Sequence, residues 1–96
     1  MGKLWDQIRR AVSDEFFVVG DHADERMRER RIELWQVVGE IDDARLIVER
    51  EGDLPYPTAV VEQSLADGTR IRVVWAWLQR RQLAKLVTVH LIQRRL

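Results

Sequence analysis

Apolar residues recur at four-residue spacing at the start of the chain, at Leu4, Ile8 and Val12, with Trp5 and Ala11 widening the stripe. This period predicts an amphipathic helix over 3–14. A short apolar, β-branched run occupies 16–19 and ends at Gly20. Asp21 then reads as an N-cap, with Asp24 and Glu25 in the first turn, where the helix dipole favours negative charge. This second helix runs to about residue 30 on a thin apolar side, Ala23 and Met27. A third is expected over 33–40, with Leu34, Val37, Val38 and Ile41 on its buried side.

The pattern then changes from a period of about four to a period of two. Residues 45–50, with Leu46, Ile47 and Val48 between polar ends, read as a strand. Residues 52–57 contain Pro55 and Pro57, too close together for the inside of a sheet, and read as a loop. Three strands follow, over 58–65, 70–78 and 84–92, with turns at Ala66-Asp67-Gly68 and at 79–82. Helices followed by a run of strands predict an α+β fold, with N-terminal helices packed on one face of a four-stranded antiparallel sheet.

Turn chemistry fixes how the strands pair. Asp67-Gly68 suits a type I turn closed by a G1 bulge with Gly68 left-handed, which sets Leu65 opposite Thr69. Ser64 then faces Arg70, Glu62 faces Arg72 and Val60 faces Val74. A two-residue loop would instead set Glu62 against Val73. The first register joins opposite charges, worth about 0.2–1 kcal/mol a pair, and gathers Ala59, Val61, Leu65, Ile71, Val73, Trp75 and Trp77 on the other face. In the next hairpin the tryptophans belong beside Val87, Val89 and Leu91, which puts His90 opposite Arg72 and Thr88 opposite Val74. Glu62, Arg72 and His90 therefore share an outer face, with Ser64, Arg70 and Thr88 around them.

Charge adds a direction to this picture. Sixteen basic and 16 acidic residues cancel over 96 positions, but no Asp or Glu follows Asp67. Arg70, Arg72, Arg80, Arg81, Lys85, Arg94 and Arg95 lie beyond it, so a cationic sheet surface suits an anionic partner such as RNA. A solvated basic tail is the plainer alternative. There is no cysteine, and the two histidines lie far apart in sequence, so no thiolate chemistry, metal site or cofactor is expected. One domain is expected from the length, and no apolar run approaches the ~20 residues of a membrane span. A bacterial-type cytoplasmic protein that makes no membrane contact is the expectation.

Glu, Arg and His on one open face are the parts needed to cleave RNA by transesterification. A carboxylate can take the 2′-hydroxyl proton, a histidine can protonate the departing 5′-oxygen, and an arginine can neutralise charge at phosphorus. This assigns Glu62 as base, His90 as acid, and Arg72 with Arg70 as the phosphate clamp, with Thr88 beside them. A Glu–Arg cross-strand pair is also an ordinary sheet-stabilising contact. The two readings differ in that a catalytic cluster is open to substrate, whereas a structural one lies flat or under a helix. His22, Arg26 and Arg30 form a basic stripe on the second helix that can add backbone contacts, although pairs such as Asp24 with Arg28 absorb part of that charge. The four tryptophans are expected mostly in the core.

The segment His22-Ala23-Asp24-Glu25-Arg26-Met27-Arg28-Glu29-Arg30, then a short helix, a strand, a proline-containing loop and the ending Leu86-Val87-Thr88-Val89-His90, resembles the bacterial family labelled domain of unknown function 4258. The resemblance covers about 17–92. It implies membership of the RelE/barnase-like toxin superfamily, hence a single RelE/barnase-like domain over 1–96. It also implies a ribonuclease chemistry that in the barnase branch uses a Glu, an Arg and a His on the sheet, which by strand position would be Glu62, Arg72 and His90. Arg31 stands where the family usually has Gly. The function expected is a toxin-like RNA-binding or RNA-cleaving domain without metal, inhibited by a small antitoxin-like partner protein. The alternative is a non-catalytic protein-interaction domain of the same fold, for example a dimer.

Overall fold

The four-residue period of the N-terminal third becomes three short helices in the computed structural model, which describes residues 2–94. Helix α1 (Lys3–Ser13) buries Leu4, Trp5, Ile8, Ala11 and Val12, the stripe read from the sequence. Full burial of each larger side chain stabilises by about 1.5–3 kcal/mol as an upper bound. Strand β1 (Phe17–Val19) is followed by α2 (Asp21–Arg30), α3 (Leu34–Gly39) and a 3₁₀ turn (Ile41–Asp43). The strands are β2 (Arg45–Arg50), β3 (Thr58–Ser64), β4 (Arg70–Leu78) and β5 (Leu83–Gln93).

The α+β class holds, but the four-stranded antiparallel sheet expected from the sequence does not. Among the described residues the sheet has five strands in the order β1-β5-β4-β3-β2, and β1 runs parallel to β5. Hairpin reasoning cannot find such a strand. It is three residues long, and its partner lies near the other end of the chain. Phe17 pins it, meeting the fully buried Trp75 of β4 edge to face at 6.1 Å and 84°.

The start of α2 also differs from expectation. Gly20, not Asp21, is the N-cap of α2, and no side chain caps it. Gly20 N–H donates to the Leu86 carbonyl at 2.8 Å, and a Cβ there would stand 3.0 Å from that oxygen. Glycine thus lets α2 start directly against β5, on which it packs. Helix α3 is capped by Glu33, in a reciprocal box with Gln36. Of the four tryptophans expected mostly in the core, Trp35 of α3 is 69% exposed, since so short a helix buries only Val37.

Pairing of β3 with β4 follows the charge-matched register, with Glu62 opposite Arg72 and Ser64 opposite Arg70. Gly68 has φ 90°, and Leu65 N–H donates to the Thr69 carbonyl at 2.7 Å. Between β4 and β5, Arg72 faces His90 and Val74 faces Thr88. A bulge at Val87 then places Leu86, not Val87, against Trp75. Beyond the bulge the inward positions are even-numbered: Leu86 and Ala84 are fully buried, while Val87 is only half-buried. One core joins the helix stripes to Ala59, Val61, Ile71, Val73, Trp75, Leu86 and Val89. The opposite face carries the charged row.

Candidate functional site

Register alone assembles the site. Arg45 pairs with Glu62, Glu62 with Arg72, and Arg72 with His90, so one transverse row crosses β2, β3, β4 and β5 on the face away from the helices. Residues directly opposite one another share a face of a sheet. By the same rule Arg50 and Lys85 lie on this face in the row through Thr58 and Ala76, and Arg70 lies beside Ser64. A row of small side chains, Val48, Val60, Val74 and Thr88, runs alongside the charged one.

Glu62 is the focus of the row. Its Oε2 accepts hydrogen bonds from Arg72, from Nε at 3.1 Å and from Nη2. Its Oε1 accepts from Arg45 Nη2 and from Arg70 Nη2, each at 3.3 Å. The Glu62 side chain is 11% exposed, whereas those of Arg45, Arg70 and Arg72 are 72%, 46% and 48% exposed. A carboxylate thus lies under three solvated guanidinium groups. The Arg72 hydrogen bonds, outweighing desolvation and reinforced by the charges of Arg72 and Arg45, hold its pKa below the ordinary 4.5.

His90 is exposed on the far side of Arg72. Two strand spacings, about 9–10 Å, separate its backbone from that of Glu62, with Arg72 between them. Thr88 is only 9% exposed and its Oγ1 has no hydrogen-bond partner, so it offers little contact surface.

The α2 residues are placed differently. His22 and Arg30 are exposed, and Arg26 is half-buried and bonded to Glu29 at 3.2 Å. Arg28 pairs with Asp24 at 2.9 Å. Among the described residues no ion pair joins this stripe to the sheet row. Arg94 Nη2 ties the end of β5 to the Arg30 carbonyl at 2.7 Å, while Arg95 lies outside the described residues.

Sequence reasoning missed Arg45. Residues 45–50 read Arg-Leu-Ile-Val-Glu-Arg, with no alternation to mark a face, and a loop of seven residues and a bulge at Ile47 separate the register of Arg45 from any turn chemistry. Among the described residues no group of three or more His, Asp or Glu is arranged to hold a metal ion, and no helix is long and apolar enough to cross a membrane.

The sequence model of a family described as a domain of unknown function (DUF4258) matches residues 19–90. That span runs from the last residue of β1 to His90 and includes α2 and the whole transverse row. No curated protein and no solved structure matches the chain.

Proposed function

This chain belongs to the DUF4258 family, and on that premise we propose that its open sheet face binds RNA and cleaves it without a metal. The single observation that carries this reading is the row Arg45–Glu62–Arg72–His90 on the helix-free face. Arg45, Arg50, Arg70, Arg72 and Lys85 on that face outnumber its one strand carboxylate, Glu62, so its field attracts a phosphate backbone.

The chemistry is a transesterification. The Glu62 carboxylate takes the proton of a ribose 2′-hydroxyl, and the 2′-oxygen attacks the adjacent phosphorus. The bond from phosphorus to the 5′-oxygen breaks, and the His90 imidazolium gives its proton to that leaving oxygen. The products are a 2′,3′-cyclic phosphate and a free 5′-hydroxyl. Arg72 and Arg70 neutralise the charge that builds on the non-bridging oxygens. Kinship with the RelE/barnase-like toxin superfamily is part of this proposal, supported by the α+β class and by the Glu–Arg–His row. So is a small antitoxin-like protein, whose acidic groups would cover the same arginines.

Purified protein incubated with total RNA in a chelator tests it. Wild type is expected to leave cyclic-phosphate ends, and Glu62→Ala and His90→Ala to lose about 10²–10⁴-fold each. Equal cleavage by all three would remove the assignment. A second reading, a non-catalytic interaction domain, draws on Trp35, whose 69% exposure is the kind of aromatic anchor that interfaces bury. Growth arrest on expression in bacteria that Glu62→Ala and His90→Ala abolish favours the nuclease, and arrest that both variants retain favours the interaction domain.

A further inference from the structure

Resting on the RNA-binding reading above, the geometry points to a displaceable latch. In the free protein Glu62 itself occupies the anion seat made by Arg45, Arg70 and Arg72, and a phosphodiester that binds there draws Arg45 and Arg70 away and bares Oε1. Arg45 thereby becomes a binding and positioning residue of the site.

The two carboxylate oxygens are held unequally. Oε2 takes both of its bonds from one guanidinium, that of Arg72, anchored on the directly opposing strand position. Oε1 takes one bond each from two guanidinium groups on opposite sides of β3, both at 3.3 Å, near the long end for an N–H···O bond. These two arginines border one shallow pocket, lined also by Asp43, Glu62, Gln63 and Ser64. An incoming phosphate meets the exposed guanidinium groups before it meets the carboxylate beneath them. Guanidinium groups that make single, long, solvated contacts are the ones a phosphate can recruit, because a bidentate phosphate contact is the stronger bond. Arg72 then keeps Glu62 oriented through Oε2, while Oε1 faces the substrate.

Release changes the acidity of Glu62 in a defined direction. The charged groups around it are Arg45 from β2, Arg70 and Arg72 from β4, and Asp43 from the 3₁₀ turn, with His90 of β5 beyond Arg72. Loss of two hydrogen bonds and the arrival of a like charge both favour the protonated acid, so the bound state has the more basic carboxylate. A carboxylate held far below neutrality is a poor base, and binding of the phosphate moves it toward the working range.

The test uses the full chain and an RNA oligomer with every 2′-hydroxyl methylated, which cannot be cleaved. The Glu62 carboxyl carbon is titrated by NMR with and without the oligomer. The expected result is a midpoint that moves up on binding. Arg45→Ala, at an exposed position, is expected to raise the midpoint of the free protein and to reduce the slope of log K against log salt by about 0.7, the share of one phosphate contact on a single strand. Glu62→Gln, which keeps the shape without the charge, is expected to bind the oligomer more tightly than wild type. An oligomer that binds while the midpoint stays or falls would overturn the latch and leave RNA binding standing. No binding even at low salt would overturn the RNA reading, and the latch with it.

Discussion

Glu62 and Arg72 face each other across β3 and β4, and both hydrogen bonds from the guanidinium end on one carboxylate oxygen, Oε2. This leaves the second oxygen to Arg45 and Arg70, on either side. Glu62 therefore does two things at once. It neutralises part of a cationic face that would otherwise repel itself, and it keeps three guanidinium groups converged where a phosphate would sit.

Acid should loosen this arrangement in a predictable window. The pKa of Glu62 in the folded protein lies below 4.5, first because Arg72 hydrogen-bonds the charged form. A group depressed on folding contributes its stability above the unfolded pKa and loses it as pH falls through the folded value. The gap in urea midpoint between wild type and Glu62→Gln should thus hold steady at neutral pH and narrow as pH drops below 4.5. A gap that widens in acid would contradict the pairing.

The fifth strand depends on Phe17. Its ring meets Trp75 edge to face, and Phe17 is half-buried against the core. Phe17→Ala should cost about 2–3 kcal/mol, less than a fully buried phenylalanine because part of the ring is exposed. Phe17→Leu keeps most of the volume and should lose about 0.5–1.5 kcal/mol, the share of the ring pair. Chemical denaturation of both variants measures the difference.

Legibility in the sequence followed locality. The Asp67-Gly68 turn and the alternation on either side of it set Glu62 against Arg72, and the apolar pattern of the last strand set Arg72 against His90, because a slip by one residue would have buried the charges. β1 was invisible as a strand, since its parallel partner is 67 positions away and three residues carry little pattern. Val87 misled because a bulge costs the alternation one residue, and the larger Leu86 takes the place beside Trp75. The exposure of Trp35 was unreadable because a six-residue helix does not make a full apolar stripe.

Gln63 anchors the helix layer beneath the charged row. It is buried, one position from Glu62, and its Nε2 donates to the Val37 carbonyl in α3 at 2.8 Å. Gln63→Ala leaves that carbonyl without this donor, with an expected cost of about 1–3 kcal/mol. Faster amide exchange should appear in α3 and the 3₁₀ turn, with β4 and β5 unaffected. Uniform loss of protection across the sheet would mean that Gln63 acts on the whole core instead.

Arg31 is a non-glycine residue at a helix end where glycine is the usual choice. It sits just past α2 at φ 56°, ψ 43°, in the left-handed region. Its N–H donates to the Arg28 carbonyl at 3.2 Å and the next N–H, from Ile32, to the Met27 carbonyl at 2.9 Å, the bond pair of a Schellman motif. The accompanying apolar contact is met by Ile32 and Met27, both buried. Holding a residue with a Cβ in this conformation costs about 1–2 kcal/mol. Glycine would relieve that cost but lose about 0.5–1 kcal/mol of additional chain entropy on folding. Arg31→Gly should therefore stabilise by about 0.5–1 kcal/mol, read as a higher urea midpoint at unchanged slope. If the variant is instead weaker, the exposed arginine side chain holds the turn by a contact that outweighs the backbone strain. Its charge would then belong with Arg30 and Arg94 at this end of the sheet.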